Sequence, residues 1–250
     1  MINDIPIKSE KEIEIMRQGG KILAMIMDKA KRFTRSGLST MAIEKYICTL
    51  IKKYKAKSSF LGYKGYPNVS CISINEEWVH GIPSKRKIKE GDIISLDIGV
   101  LYKGFNTDMA ITFGVGEISK KDRRLIRSTK DALTAGIKNV RIGKKIGDIS
   151  AAIERVIGKG GFSVMRKYRG HGVGKEPHEP PDIPDYGVPN TGPKIKKGMV
   201  LALEPMASAG DHHTKEKSDG WTVIPVDGSK TAHFEHTVAI TDRGPEILTR

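Results

Sequence analysis

Cysteine is scarce, occurring only at Cys48 and Cys71, which rules out the bridge framework of small exported domains and suits a reducing compartment. Long apolar runs are missing too. Nothing approaches the roughly 18 to 20 unbroken apolar residues of a membrane helix, so no membrane partner is expected. Met1 to Lys11 alternates polar and apolar residues and lacks the apolar core and small-residue cleavage site of a secretory signal. These absences set the expectation of a cytoplasmic protein. No low-complexity linker divides the 250 residues, a length still within reach of one core. The sequence therefore reads as a single domain over 1–250 and, since nothing demands a partner chain, as a monomer.

Charge is unbalanced. Lysine and arginine number 43 against 29 aspartates and glutamates, a formal net charge of +14 that favours polyanions. The basic residues cluster at Lys52 to Lys57, Lys85 to Lys89, Lys120 to Arg124 and Lys194 to Lys197. With no aromatic interleaving and no RNA-binding motif, solvated faces are the simpler reading; contact with ribosomal RNA is the partner the clusters suggest.

A repeated grammar runs through the chain. Ser9 and a Glu-rich turn lead into Ile13, Met16, Ile22, Leu23, Met25 and Ile26, an N-capped amphipathic helix. A second helix follows Gly37, with Ser39 or Thr40 as its cap. Ser119 opens a third, and Asp148 is positioned to cap a fourth over Ile149, Ile153, Val156 and Ile157. Short apolar runs follow each helix pair, Asp92 to Gly99 and Gly198 to Pro205, each with one acidic residue, Asp97 and Glu204. A repeat over roughly 9–114 and 119–241 predicts an α+β domain with pseudo-twofold symmetry and a site near its axis.

The acidic residues carry the chemistry. A turn at Tyr102-Lys103-Gly104 makes a hairpin of the flanking apolar runs, and if it centres between Tyr102 and Lys103, Asp97 faces Asp108. Opposed cross-strand residues sit about 4.5 to 5.5 Å apart, where two carboxylates repel unless a cation intervenes. Either aspartate could instead cap a strand end in solvent. Glu204 and Glu235 tilt the balance, because an ionised carboxylate on a buried strand costs several kcal/mol unless paired or metal-bound. His171, in the glycine-flanked run Gly170 to Gly174, adds an imidazole. Four carboxylates and one imidazole are too acidic for structural zinc. They suit a pair of divalent ions sharing a water and supplying hydroxide at neutral pH, which is hydrolytic chemistry. His178 and His80 lie beside proline or glycine turns that can aim a ring into a cleft. His212 and His213 read as a solvated loop, and His233 and His236 flank Glu235 without an assigned role.

These residues occur in stretches that together resemble the type I methionine aminopeptidases of peptidase family M24. They are Tyr63 to Pro67, Ser73 to Glu76, His80 to Pro83, Leu96 to Gly99, Asn106 to Asp108, Gly170 to Gly174, Leu203 to Met206 and Phe234 to Thr237. The likeness runs from about Ile7 to Leu248. It implies the pita-bread fold, an antiparallel sheet flanked by helices, and removal of the initiator methionine from nascent chains with a small second residue. It also implies two divalent ions, Co, Mn, Fe(II) or Zn. Asp97 would bind one, His171 and Glu204 the other, and Asp108 and Glu235 both. Glu204 would act as general base, His178 would polarise the peptide carbonyl, and His80 would contact the scissile amide. Tyr63, Tyr66, Cys71 and Trp221 would form the methionine pocket.

Two departures stand out: Pro177 occupies a position often aromatic or aliphatic in relatives, and Asp185 replaces an expected His or Asn. The rival readings are an Xaa-Pro aminopeptidase of the same fold, which usually carries a large amino-terminal domain, and a non-catalytic module that binds nucleic acid or the ribosome.

Overall fold

Capping chemistry starts the helices. In the computed structural model, which describes residues 4–250, α1 (Glu10–Phe33) begins at Ser9. The Ser9 hydroxyl accepts from the Glu12 N–H while the Glu12 carboxylate accepts the Ser9 N–H at 2.8 Å, a reciprocal capping box. Ser39 caps α2 (Thr40–Lys53) and Ser119 caps α3 (Lys120–Asn139). The fourth helix, α4 (Ile146–Lys159), corrects the expectation for Asp148: the N-cap is Lys145, and Asp148 reaches back from inside the first turn to accept the Lys145 N–H at 2.9 Å. An orphan amide is satisfied either way. Met1 to Asn3, part of the amino-terminal stretch read above, lie outside the described residues. Among the described residues no helix is long and apolar enough to cross a membrane.

The first strands are β1 (Lys57–Ser58), β2 (Ser70–Ile74), β3 (Ile93–Tyr102) and β4 (Phe105–Gly114). After α4 come β5 (Ser163–Val164), β6 (Gly170–Gly172), β7 (Glu179–Ile183), β8 (Val200–Leu203) and β9 (Met206–Ser208). The chain ends with β10 (Thr214–Glu216), β11 (Val223–Pro225), β12 (Thr231–His233), β13 (Glu235–Thr241) and β14 (Gly244–Ile247). The main sheet runs β1-β3-β4-β13-β8-β6-β7, with β2 on β3 and β14 on β13, and its pairings are antiparallel. The expected α+β architecture is present.

Two cores hold the helices to this sheet. Leu23, Ile26 and Met27 of α1 and Ile43 and Ile47 of α2 pack on Ile94, Leu96 and Ile98 of β3. Leu125 and Leu133 of α3 and Ile149 and Ile153 of α4 pack on Leu201 and Leu203 of β8 and Val238 and Ile240 of β13. Burying each such side chain contributes about 1.5 to 3 kcal/mol, so the helix-covered faces take the apolar residues. Strand alternation then sends Ser95, Asp97 and Gly99 to the other face of β3.

The β3–β4 hairpin differs from the expected register. It centres between Lys103 and Gly104, with Tyr102 opposite Phe105, so Asp97 faces Ala110 and Asp108 faces Gly99. A two-residue turn of this type requires positive φ at both central positions; Lys103 (φ 47°) and Gly104 (φ 85°) supply it. The aspartates become diagonal neighbours on one face rather than an opposed pair.

Candidate metal centre

Register turns distant sequence positions into neighbours. Cys71 pairs with Asp97, Asp97 with Ala110, and Ala110 with Glu235, one row across four strands. Leu203 pairs with His236, so Glu204, just past the end of β8 rather than within it, falls beside Glu235. In the adjoining row Asp108 is pinned to β13 by Thr237, whose hydroxyl accepts the Asp108 N–H at 2.8 Å and donates to its carbonyl at 2.9 Å. His171 sits opposite Ala202. With strands about 4.8 Å apart, Asp97 and Glu235 flank Ala110 at a backbone separation of about 10 Å. Only the small alanine side chain stands between them in the row.

The side chains converge there. Ligand atoms of Asp108, His171 and Glu235 lie within 4.8 Å of one another, His171 Nε2 is 3.6 Å from Glu204 Oε1, and the Asp97 and Asp108 carboxyls are close enough to perturb one another. All five line the floor of one cavity, of about 1240 Å³. Burial pushes the carboxyls of Asp97, Glu204 and Glu235 well above the ordinary range. Repulsion adds to this, chiefly from Asp108 on Asp97 and Glu235 and from Asp185 on Glu204. Asp108 is also raised by burial, less far because the Met109 N–H donates to it. Asp97 Oδ1 and Glu235 Oε1 are buried without a hydrogen-bond partner.

Four crowded carboxyls, two of them with an unpartnered oxygen, fit a divalent cation of hard or borderline character, whose charge would offset both the repulsion and the burial cost. The imidazole is set for the same task. His171 Nδ1 lies 2.9 Å from the Gly172 carbonyl and donates to it, and burial lowers the ring's pKa to about 3. Its Nε2 therefore keeps a lone pair toward the carboxyls.

The rim is aromatic. His178 stacks on Tyr63 with centroids 5.3 Å apart, Trp221 meets Tyr66 edge-on at 5.0 Å, and His80 meets Tyr168 edge-on at 4.9 Å. Tyr63, Tyr66, Cys71, His80, His178 and Trp221 all line the cavity. Tyr66 donates its hydroxyl to the Ser70 carbonyl at 3.1 Å. Burial holds His80 and His178 near pKa about 4, with His178 acting further on His80 and Lys64 on His178, so both rings are neutral at pH 7.

Other residues sort clearly. His212 and His213 sit with Asp211 on an exposed loop and do not line the cavity. Pro177 is buried but is not a wall of the cavity. Asp185 is wholly buried, one oxygen accepting the Met206 N–H at 2.8 Å and the other unpartnered. Sequence reasoning left His233 without a role, yet it lines the cavity with Nε2 3.5 Å from Glu204 Oε2. Its place two residues before Glu235, the period of a strand, was the available signal. Tyr168 and Lys64 on the rim carried no such signal.

Residues 14–242 match metallopeptidase family M24. The chain belongs to that family. Methionine aminopeptidase 1 of Bacillus subtilis is 47% identical over 243 residues, covering 97% of this chain and 98% of the relative. The crystal structure of methionine aminopeptidase from Thermotoga maritima superimposes with a TM-score of 0.97 at 45% identity, over 99% of this chain and 100% of that one. Prolidase from Pyrococcus furiosus, at 24% identity and a TM-score of 0.81 over 98% of this chain and 65% of its own, shares the fold alone. This M24 chain thus has the pita-bread fold and is a metallopeptidase, a hydrolase with a site for divalent metal.

Proposed function

We propose that this chain is a methionine aminopeptidase that removes the initiator methionine from nascent polypeptides whose second residue is small. The observation that carries the reading is the meeting of Asp97, Asp108, His171, Glu204 and Glu235 on the floor of one cavity with an aromatic rim. Asp97 would hold one divalent ion, His171 and Glu204 would hold the other, and Asp108 and Glu235 would serve both; Co, Mn, Fe(II) or Zn would suit the donors. Such a pair would supply Lewis acidity and an activated water at neutral pH.

The chain's own residues do the rest. Glu204, set between His171 and His233, takes a proton at its carboxylate and passes it toward the leaving amine. His178, neutral and facing the floor, donates to the peptide carbonyl and to the oxygen that gains charge in the transition state. His80 orients the scissile amide. Tyr63, Tyr66, Cys71 and Trp221 present aromatic surface and a thiol to the methionine thioether.

The halves 9–114 and 119–241 are a structural repeat of one domain. The protein works as a cytoplasmic monomer, and its basic clusters allow transient contact with a ribosome.

Incubation with Met-Gly-Met-Met and with an Xaa-Pro peptide, in Mn or Co, tests the activity. Release of methionine alone supports it. Cleavage of the Xaa-Pro peptide instead favours the proline-specific reading, and no turnover in any divalent metal favours a binding module.

A further inference from the structure

The segment ahead of α1 reaches the site. The Lys8 N–H donates to the Gly198 carbonyl at 2.7 Å, and Lys8 Nζ donates to Glu179 Oε2 at 2.5 Å, the two side chains only 5% and 8% exposed. Glu179 opens β7 directly after His178, and its other oxygen accepts the Glu176 N–H at 3.2 Å. The upstream limb of the same loop is tied by Asn106, whose backbone N–H donates to the Gly174 carbonyl at 2.7 Å and whose side chain donates to the Lys175 carbonyl at 2.9 Å. The packing is close: a Cβ at Gly174 would lie 2.5 Å from Lys8 Cε and 2.7 Å from Glu179 Oε1. Both ends of the loop are therefore anchored. His178 stands beside the anchor, stacked on Tyr63 and with its ring centroid 4.0 Å from that of His171.

A buried ion pair is a poor device for global stability, because desolvation offsets most of its attraction, but it fixes geometry well. This one joins residues 171 positions apart at the root of a single short loop. We propose that Lys8 and Glu179 are positioning residues whose buried pair holds the 174–179 loop so that His178 meets the peptide carbonyl. The inference rests on the role given to His178 in the proposed function.

The test is a double-mutant cycle on the full-length, Mn-loaded protein with Met-Gly-Met-Met. Lys8→Met is expected to lower kcat by about 10- to 100-fold, the scale of a misplaced catalytic contact, with metal content unchanged. Glu179→Gln should lower it in the same direction, and Lys8→Arg, which keeps the charge, should retain more rate than Lys8→Met. In a His178→Ala background, Lys8→Met should change kcat by less than about twofold, because coupled residues are not additive.

The same loss in both backgrounds would show a merely structural role and overturn the proposal, as would a full rate in Lys8→Met. Should Lys8→Met fail to fold, the Lys8→Met/Glu179→Gln double variant, which buries no lone charge, replaces it in the cycle. A full rate in His178→Ala alone would remove the role of His178 and the clamp with it, a pattern distinct from additivity.

Discussion

The floor and the rim of the cavity are built by different means. Asp97, Asp108 and Glu235 are carried on long paired strands, and ladder register alone makes them neighbours. His80, at φ 58°, and Tyr63, in a three-residue helical turn, sit on segments whose shape depends on contacts from elsewhere. A ladder places a side chain through its own backbone bonds; a turn borrows its geometry from its neighbours. Metal binding and turnover should therefore be separable: changes to the floor should remove both, and changes to the rim should remove turnover alone.

The largest effect is expected at the floor. Asp108→Ala or Glu235→Ala should lower turnover by at least about 10³-fold and release metal in parallel, as activity assays beside elemental analysis would register. Normal metal content in either variant would show that the carboxylate is not a ligand of the floor.

Rim changes come next. His178→Ala should cost about 10²- to 10³-fold in kcat, as loss of an oxyanion donor does, while metal stoichiometry stays unchanged. Metal loss in that variant would merge the two regions.

A subtler change probes the space itself. Ala110→Leu should leave the sheet folded by circular dichroism but fill the gap between Asp97 and Glu235, weakening metal affinity by about 10- to 100-fold, the scale of disturbed supporting contacts. Calorimetric titration with Mn reads this directly; unaltered affinity would mean that the small side chain at Ala110 is irrelevant to the floor.

The smallest effect is in stability. The floor carboxyls are raised above their ordinary 3.8 and 4.5, so the folded metal-free protein holds protons that the unfolded chain releases. Their contribution is complete below the unfolded values and is lost as pH rises through the raised ones. Buried imidazoles such as His171 act oppositely, costing stability as pH falls below their ordinary 6.5. From about pH 6.5 to about pH 8 the carboxyl effect should dominate. The melting temperature of metal-stripped protein should fall across that range, and that of metal-loaded protein should fall less. Parallel curves would contradict the raised carboxyls.

The same division explains what was legible in the sequence. Helix starts at Ser9, Ser39 and Ser119 follow from capping rules that act over three or four residues, so they could be read locally. Alternation put Asp97 opposite the face of Leu96 and Ile98. The turn was misplaced by one residue because Tyr102-Lys103 and Lys103-Gly104 are both acceptable centres until sheet twist selects positive φ at two consecutive positions. Asp148 is ambiguous in the sequence because a carboxylate suits both the cap, where it accepts an N–H from the first turn, and the third helical position, where it accepts the N–H of the cap residue as it does from Lys145. On the rim, His80 and His178 were legible from the turns beside them, whereas Tyr63, Tyr66, Cys71 and Trp221 were visible only through resemblance. Lys8 and Glu179 were not visible at all, since no local rule couples positions 171 residues apart.

In the proposed site, five strand- and loop-borne ligands cage a pair of divalent ions on the cavity floor. Anomalous diffraction from crystals soaked in Mn tests it most directly. The expected map has two peaks enclosed by Asp97, Asp108, His171, Glu204 and Glu235. An empty floor under saturating Mn, or density only at the exposed Asp211-His212-His213 loop, would contradict it.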